Sequence, residues 1–523
     1  MVFRSFNRNR ERITIRKKEN NSEYNYQETF SLKISKTLQT NIDNLNNLLD
    51  KPDDLKIRQI QLGDANIKCA TAFLEGIVDS QSTQDSILGN LEGAQNLPDK
   101  ENELFQYIFN KQIAVNDVQK GTTFDDITFS LLSGFTILFV DGMEEALMIN
   151  TIGGETRAIE EPVAETLIRG PRAGFVENLQ TNLAIIRRNV KDPNLRFKTY
   201  KAGRRSKKNL VVAYVAGIVN PDLVKEVDRR LMTIDMDIIQ ESGYIESWIE
   251  DSSLSPFPQI LNTERPDKIV AAIMQGKVGI LVEGTPFALI APITFSNVLQ
   301  SPEDYYERWT IGSLLRLLRY LGAFLSIFLP ALYIAIIGLQ PGMIPSQLAF
   351  SIAGTREGVP FPPVVEAFLM VITMELLQEA GARLPQTIGQ TIGIVGGLVI
   401  GEAAVQAGVV SPIMVIVIAL TAIANFAVPA YSVAIAFRII RFGIMIAASM
   451  FGLLGIILVY IMINIHFVNL KSFGVPYSTP FAPFFKDDWK DVIFRSPTQT
   501  IKKRPVYLNT EDDISLDNQG EEK

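Results

Sequence analysis

Residues 320–339 read YLGAFLSIFLPALYIAIIGL, a stretch without a single charge. An α-helix needs about 20 apolar residues to cross about 30 Å of hydrocarbon, and this segment supplies them. It makes the chain an integral membrane protein, and the surrounding sequence extends that reading. No charge appears between Arg319 and Arg356, or between Glu402 and Arg438. Residues 412–437 and 442–465 (FGIMIAASMFGLLGIILVYIMINI) give a second and a third span. Residues 388–410, interrupted by Gln390, Glu402 and Gln406, are a fourth candidate. Residues 364–380 carry Glu366, Glu375 and Glu379, and form either a fifth span shielded from lipid or a helix that enters and turns back.

The 523 residues hold 50 Lys+Arg against 57 Asp+Glu, and their mean hydropathy is +0.15 at 20% charged residues, so a polar part is joined to a very apolar one. The acidic balance argues against a nucleic-acid partner. One cysteine, Cys69, excludes an internal disulfide framework and an all-cysteine metal site; it reads as a small buried side chain. One histidine, His466, removes Ser-His-Asp and Cys-His chemistry. The basic N-terminus lacks an apolar core behind it, so it is not read as a signal peptide. Arg308, Arg316 and Arg319 precede the first span and place residues 1–315 in the cytoplasm. Arg438 and Arg441 also favour the inside, which suits five crossings and an outside tail. Four crossings would return Lys502, Lys503 and Arg504 to the cytoplasm, and both topologies stay open. The acidic end (Glu511, Asp512, Asp513, Asp517, Glu521, Glu522) reads as solvated and disordered.

The polar half is duplicated. ATAFLEGIVDS (70–80) matches VAYVAGIVNPD (212–222), and SGFTILFVDGMEEALMI (133–149) matches QGKVGILVEGTPFALIA (275–291). The first pair reads as strand, Gly-led turn and helix; the second, with Asp-Gly or Glu-Gly between apolar runs, as a β-hairpin. The expected domains are a basic extension (1–50), a first α/β unit (51–168), a connecting helix (169–194), a second α/β unit (195–315), a transmembrane domain (316–466) and a polar tail (467–523). Neither copy holds a Cys-x-x-Cys, a G-x-G-x-x-G or a P-loop, so no cofactor is expected and the units read as scaffold, not enzyme. Arg172, Arg187 and Arg188 form either an anion site or a solvated or inter-unit face.

Within IGQTIGIVGGLVIGEAAVQAG (388–408), Gly389, Gly393, Gly397 and Gly401 recur every four residues. On a helix they make a smooth stripe for close packing. Thr391, Val395, Leu398 and Glu402 fall on nearly the opposite face. In a ring of such helices, Val395 and Leu398 would form an apolar constriction and Glu402 a cation-favouring ring. Glu375 and Glu379 would line the same path. A tightly packed helix with Glu402 bonded inside its own bundle accounts for the pattern equally well, and an i,i+4 pair of Glu379 with Arg383 is an adequate alternative for that residue.

The run from Gly354 to Phe426 (GTREGVPFPPVVEAFLMVITMELLQEAG…), with IEEPVAETLIRGPRAGFVENLQTNLAIIRR (159–188), SPFPQILNTERPDK (255–268) and QSPEDYYERW (300–309), resembles the spore germinant-receptor A-subunit family of endospore-forming bacteria. The resemblance covers roughly residues 30–490. It implies two tandem thioredoxin-like α/β units followed by 4–5 transmembrane helices, in a multi-pass protein of the spore inner membrane with its N-terminal part cytoplasmic. It further implies a homo-oligomer among membrane lipid that acts as a ligand-gated cation channel. Its partners would be a transporter-like B subunit, which binds the nutrient, and a lipoprotein C subunit. Many members carry Gln at the position of Glu402. The alternatives are a non-conducting scaffold of the receptor and the family's homologue linked to the dipicolinate channel.

Overall fold

The computed structural model describes residues 32–62, 67–79, 87, 89–92, 98, 101–109, 117–153, 161–162, 165–383 and 399–516. These form two compact units, one within Met1–Lys51, Lys56–Leu74 and Ser80–Ile152, the other within Pro52–Leu55, Glu75–Asp79 and Gly153–Lys523.

The first unit holds β1 (Leu55–Leu62), β2 (Ile67–Leu74), β3 (Val118–Gly121), β4 (Phe135–Val140) and β5 (Ala146–Asn150), in the order β1-β2-β4-β5-β3. Helix α1 (Leu38–Leu49) is tied to the β4–β5 turn, since Leu38 N donates to Asp141 Oδ1 at 2.9 Å. Helix α2 (Phe124–Leu132) is capped by Thr123, whose hydroxyl accepts from Asp126 N. Cys69 is fully buried on β2.

The second unit repeats the arrangement with β6 (Leu195–Ala202), β7 (Lys208–Val215), β8 (Leu261–Thr263), β9 (Val278–Val282) and β10 (Ala288–Ala291), in the order β6-β7-β9-β10-β8. Both expected hairpins form, β4–β5 and β9–β10, antiparallel in each case. Gly142 (φ 90°) and Gly284 (φ 80°) occupy the left-handed positions that such turns demand and that a Cβ disfavours. Alternation along the strands splits the core of the second sheet. Val211, Ala213, Leu281 and Ile290 face one side with α3 (Leu179–Asn189) and α5 (Pro266–Met274). Leu210, Val212, Ile280 and Leu289 face the other with α4 (Pro221–Met232).

The first of these cores runs on without a break into the helical region. That region comprises α6 (Trp309–Tyr333, continued by π-helical turns Ile334–Leu339), α7 (Pro363–Arg383), α8 (Pro412–Phe426), α9 (Tyr431–Phe451) and α10 (Leu453–Asn469). Among the described residues two helices are long and apolar enough to cross a membrane, Trp309–Leu339 and Tyr431–Phe451; Pro412–Phe426 and Leu453–Asn469 are shorter apolar helices.

The expected span boundaries shift. Segment 412–437 is not one helix, because the chain breaks around Pro429 and restarts at Tyr431. Segment 442–465 is likewise divided at Gly452 (φ 61°), between α9 and α10. Arg316, Arg319, Arg438 and Arg441, taken as flanks of spans, lie inside α6 and α9.

The acidic end is more ordered than expected. Glu511 N donates to Ile218 O, Arg504 Nη1 meets Asp512 Oδ2 at 2.7 Å, and Lys503 pairs with Asp513. Asp517, Glu521 and Glu522 lie outside the described residues. The cluster of Arg172, Arg187 and Arg188 also separates. Arg187 is buried and holds Asp54 through three contacts of 2.8–3.0 Å, Arg188 reaches Gly153 O, and Arg172 is exposed. Arg187 is a structural ion pair, not an anion site.

Candidate functional site

Thr391, Val395 and Leu398, with Gly389, Gly393 and Gly397, lie outside the described residues. Residues 399–406 are helical. There Gly401 is buried, and a Cβ on it would stand 3.2 Å from Val415 Cγ1 of α8, so the glycine face packs inside its own chain at this point. Glu402 is exposed and accepts from Gln406 Nε2 at 3.0 Å, one turn on. Glu379 is also exposed. Glu375 is not an open carboxylate: its Oε1 accepts from Arg441 Nη1 at 2.8 Å, and Arg438 Nε stands 3.4 Å from its Oε2.

Arg441 is fully buried, and it binds three helices at once. It donates to Ser326 O of α6 (2.6 Å), Glu375 of α7 and Asn425 Oδ1 of α8 (3.4 Å). A fully buried carboxylate, Glu366 at the start of α7, accepts from Arg356 Nη2 (2.8 Å), Ser411 N (3.2 Å), Ser411 Oγ (2.9 Å) and Tyr333 OH (3.3 Å). Ser411 also caps α8, and Pro412 at the first helical position reinforces that start. The helical region therefore closes around paired charges, as low-dielectric surroundings require.

A third cluster joins the α/β part of the second unit to α6. Asp304, fully buried, holds Arg316 Nε through Oδ2 (2.8 Å) and Arg319 Nη1 through Oδ1 and Oδ2 (2.7 and 2.8 Å). Arg316 Nη1 continues to Asp491 Oδ1 (2.7 Å) on the segment that follows α10. Tyr305 OH donates to the other oxygen of Asp491, and burial together with that carboxylate pushes the phenol up. Arg495 N donates to Ser313 Oγ at 3.0 Å. Lys277 donates to Asn297 Oδ1 (2.7 Å), and burial, aided by Lys268, pushes its ammonium down to about 7.

Sequence reasoning missed these three clusters. Arg316 and Arg319 lie three apart on α6, a spacing that puts both on one helix face, while Leu314, Leu317, Leu318 and Leu321 are exposed on the other. That pattern was the available signal. No group of His, Cys, Asp and Glu among the described residues can hold a metal ion.

Comparison with known proteins follows the same ground. The chain is 50% identical to Spore germination protein GerLA of Bacillus cereus, over 89% of this chain and 94% of the relative. It is 42% identical to Spore germination protein B1 of Bacillus subtilis (92% and 99% covered) and 42% identical to the membrane protein YfkQ of the same species (90% and 91%). The crystal structure of the N-terminal domain of the A subunit of the Bacillus megaterium spore germinant receptor GerK3 is 33% identical, covering 51% of this chain and 98% of that one, with a TM-score of 0.40. The family model described as Bacillus/Clostridium GerA spore germination protein matches residues 43–507. That interval takes in both sheets, the helical region and each of the three charge clusters. The chain thus belongs to the GerA family of spore germination proteins, the non-catalytic A subunits of germinant receptors.

Proposed function

We propose that this chain oligomerises in the spore inner membrane into a ligand-gated cation channel, opened when a transporter-like B subunit senses nutrient, with a lipoprotein C subunit as third partner. The observation that supports it is the contrast between neighbours: Gly401 buried against α8, Glu402 exposed beside it. A helix continued back from Glu402 would give Leu398, Val395 and Thr391 the same outward side. Leu398 and Val395 then make the apolar constriction, and Glu402 and Glu379 supply negative charge to the water path. Glu375, already paired with Arg441, holds α7 to α9 instead. Replacing Leu398 by Ala is expected to raise resting conductance in planar bilayers containing the assembled receptor, and to give spontaneous germination. Unchanged conductance and normal dormancy would place the gate elsewhere and favour the scaffold reading.

The duplicated α/β units serve in this proposal as a thioredoxin-like docking scaffold on the cytoplasmic side, covering residues 51–168 and 195–315, ahead of a membrane domain over 316–466. The tail bears on topology. Phe295 N donates to Tyr477 O, and Arg504 Nε to Met274 O, contacts that support a tail on the same side of the membrane as the second α/β unit. This reading takes an even number of crossings, four and not five. An impermeant maleimide should therefore reach Arg205→Cys and Asp513→Cys from the same side of an oriented membrane; labelling from opposite sides would restore the odd count.

A further inference from the structure

Large apolar side chains stand exposed at the ends of α6 and α10 that face the second α/β unit. They are Leu254 (95% exposed), Phe484 (65%), Phe494 (62%) and Trp309 (48%). All four are tethered to those helix ends. Ser255, next to Leu254, bonds His466 Nε2 in the last turn of α10 at 2.8 Å. Tyr477 N donates to Leu470 O at 2.9 Å, and its ring stacks on Phe467 of α10. Phe484 follows seven residues later, at most about 25 Å away along a fully extended chain. Phe494 precedes Arg495, which is bonded to Ser313 in the second turn of α6. Trp309 is the first residue of α6.

We infer that Leu254, Phe484, Phe494 and Trp309 form an interfacial belt seated among the headgroups of the bilayer, which makes residues 477–495 a membrane anchor and not a freely solvated tail. The bilayer is the occupant that the surroundings favour, because the apolar surface continues onto exposed Leu314, Leu317, Leu318 and Leu321 of α6, the helix that spans it. Aromatic side chains concentrate at such boundaries. Exposed Arg308, Lys486 and Lys490 stand within a few residues of the belt, where long cationic side chains reach the headgroups while their stems lie along apolar surface. Trp489 packs against the rings of Phe481 and Phe484 (5.1 and 5.8 Å between centroids) and stiffens the loop that presents Phe484.

The inference rests on α6 crossing the bilayer, so the experiment carries its own control for that. The full chain is reconstituted in nanodiscs with one added cysteine, at Leu254, Phe484, Phe494, Phe324 in mid-α6, or Arg205 on a surface turn. Each is labelled with an environment-sensitive fluorophore and titrated with lipid bearing a nitroxide near the headgroup or along the acyl chain. Native Cys69 does not compete, being fully buried with its thiol pushed up to about 12. Labels at 254, 484 and 494 should be blue-shifted and lose most of their emission to headgroup nitroxide, Phe324 to acyl-chain nitroxide, and Arg205 to neither. Emission at 484 and 494 that matches Arg205 would overturn the belt, and so would blue-shifted emission that lipid nitroxide leaves intact, which would mean a protein partner covers these residues. An unquenched label at Phe324 would remove the spanning assignment of α6, and the belt with it.

Discussion

Replacing Asp304 by Ala is expected to destabilise the protein by about 3–5 kcal/mol, the range found when one partner of a buried ion pair is removed. Asp304 is the common acceptor for Arg316 and Arg319, and all three are buried. Without it, Arg316 keeps Asp491 as a counter-ion, but among the described residues Arg319 keeps only a 3.5 Å contact to Leu299 O. The loss should therefore come mainly through Arg319. Two variants separate this from simple loss of shape. Asp304→Asn keeps the volume and an acceptor but not the charge, and should fall between wild type and Asp304→Ala. Arg319→Met in the Asp304→Ala background removes the stranded cation and should recover part of the stability. Thermal unfolding of the detergent-solubilised chain reads all three. Indistinguishable melting of Asp304→Ala and wild type would mean that water screens this cluster and that its burial does not matter energetically.

The same cluster shows why some features were legible in the sequence and others not. The two hairpins were legible because a tight turn needs a residue that tolerates positive φ, and Asp-Gly and Glu-Gly announce it locally. The duplication was legible because both copies keep the apolar alternation that buries one sheet against helices. The existence of a helical membrane part was legible from the absence of charge in 320–339. Its helix boundaries were not, because charge was taken to mark where a span stops. Arg316, Arg319 and Arg441 are charged residues inside helices, tolerated because carboxylates from elsewhere in the chain neutralise them. Glu375 meets Arg441 across 66 residues of sequence, and no local pattern records that. The true breaks, at Pro429 and Gly452, act through backbone geometry. In the tail only the order was hidden: Asp512 and Asp513 are solvent-exposed, as their charge suggests, but Arg504 and Lys503 stand beside them.

The pair of Glu375 and Arg441 permits the sharpest test of that explanation. Glu375→Leu alone should cost about 3–5 kcal/mol, since it leaves Arg441 buried with only the Ser326 carbonyl and the Asn425 amide oxygen as acceptors. Arg438 cannot relieve this, because it is itself a cation and loses the same carboxylate. Arg441→Met alone should cost less, because Glu375 is partly exposed and retains Arg438. The double variant Glu375→Leu/Arg441→Met should recover the part of the loss that the stranded Arg441 causes, as buried pairs often do when replaced by apolar side chains of similar volume, and leave the part due to Arg438, which loses Glu375 in both variants. This asymmetry comes from desolvation: a charge inside the bundle is costly only when it is left alone. A double variant as unstable as Glu375→Leu would instead make the hydrogen bonds of Arg441 to α6 and α8 the main constraint. With that part of the stability restored in the double variant, its germination response becomes informative. Normal germination on nutrient would assign the pair to packing of α7 against α9, whereas a stable variant that no longer supports germination would give the pair a part in the response itself.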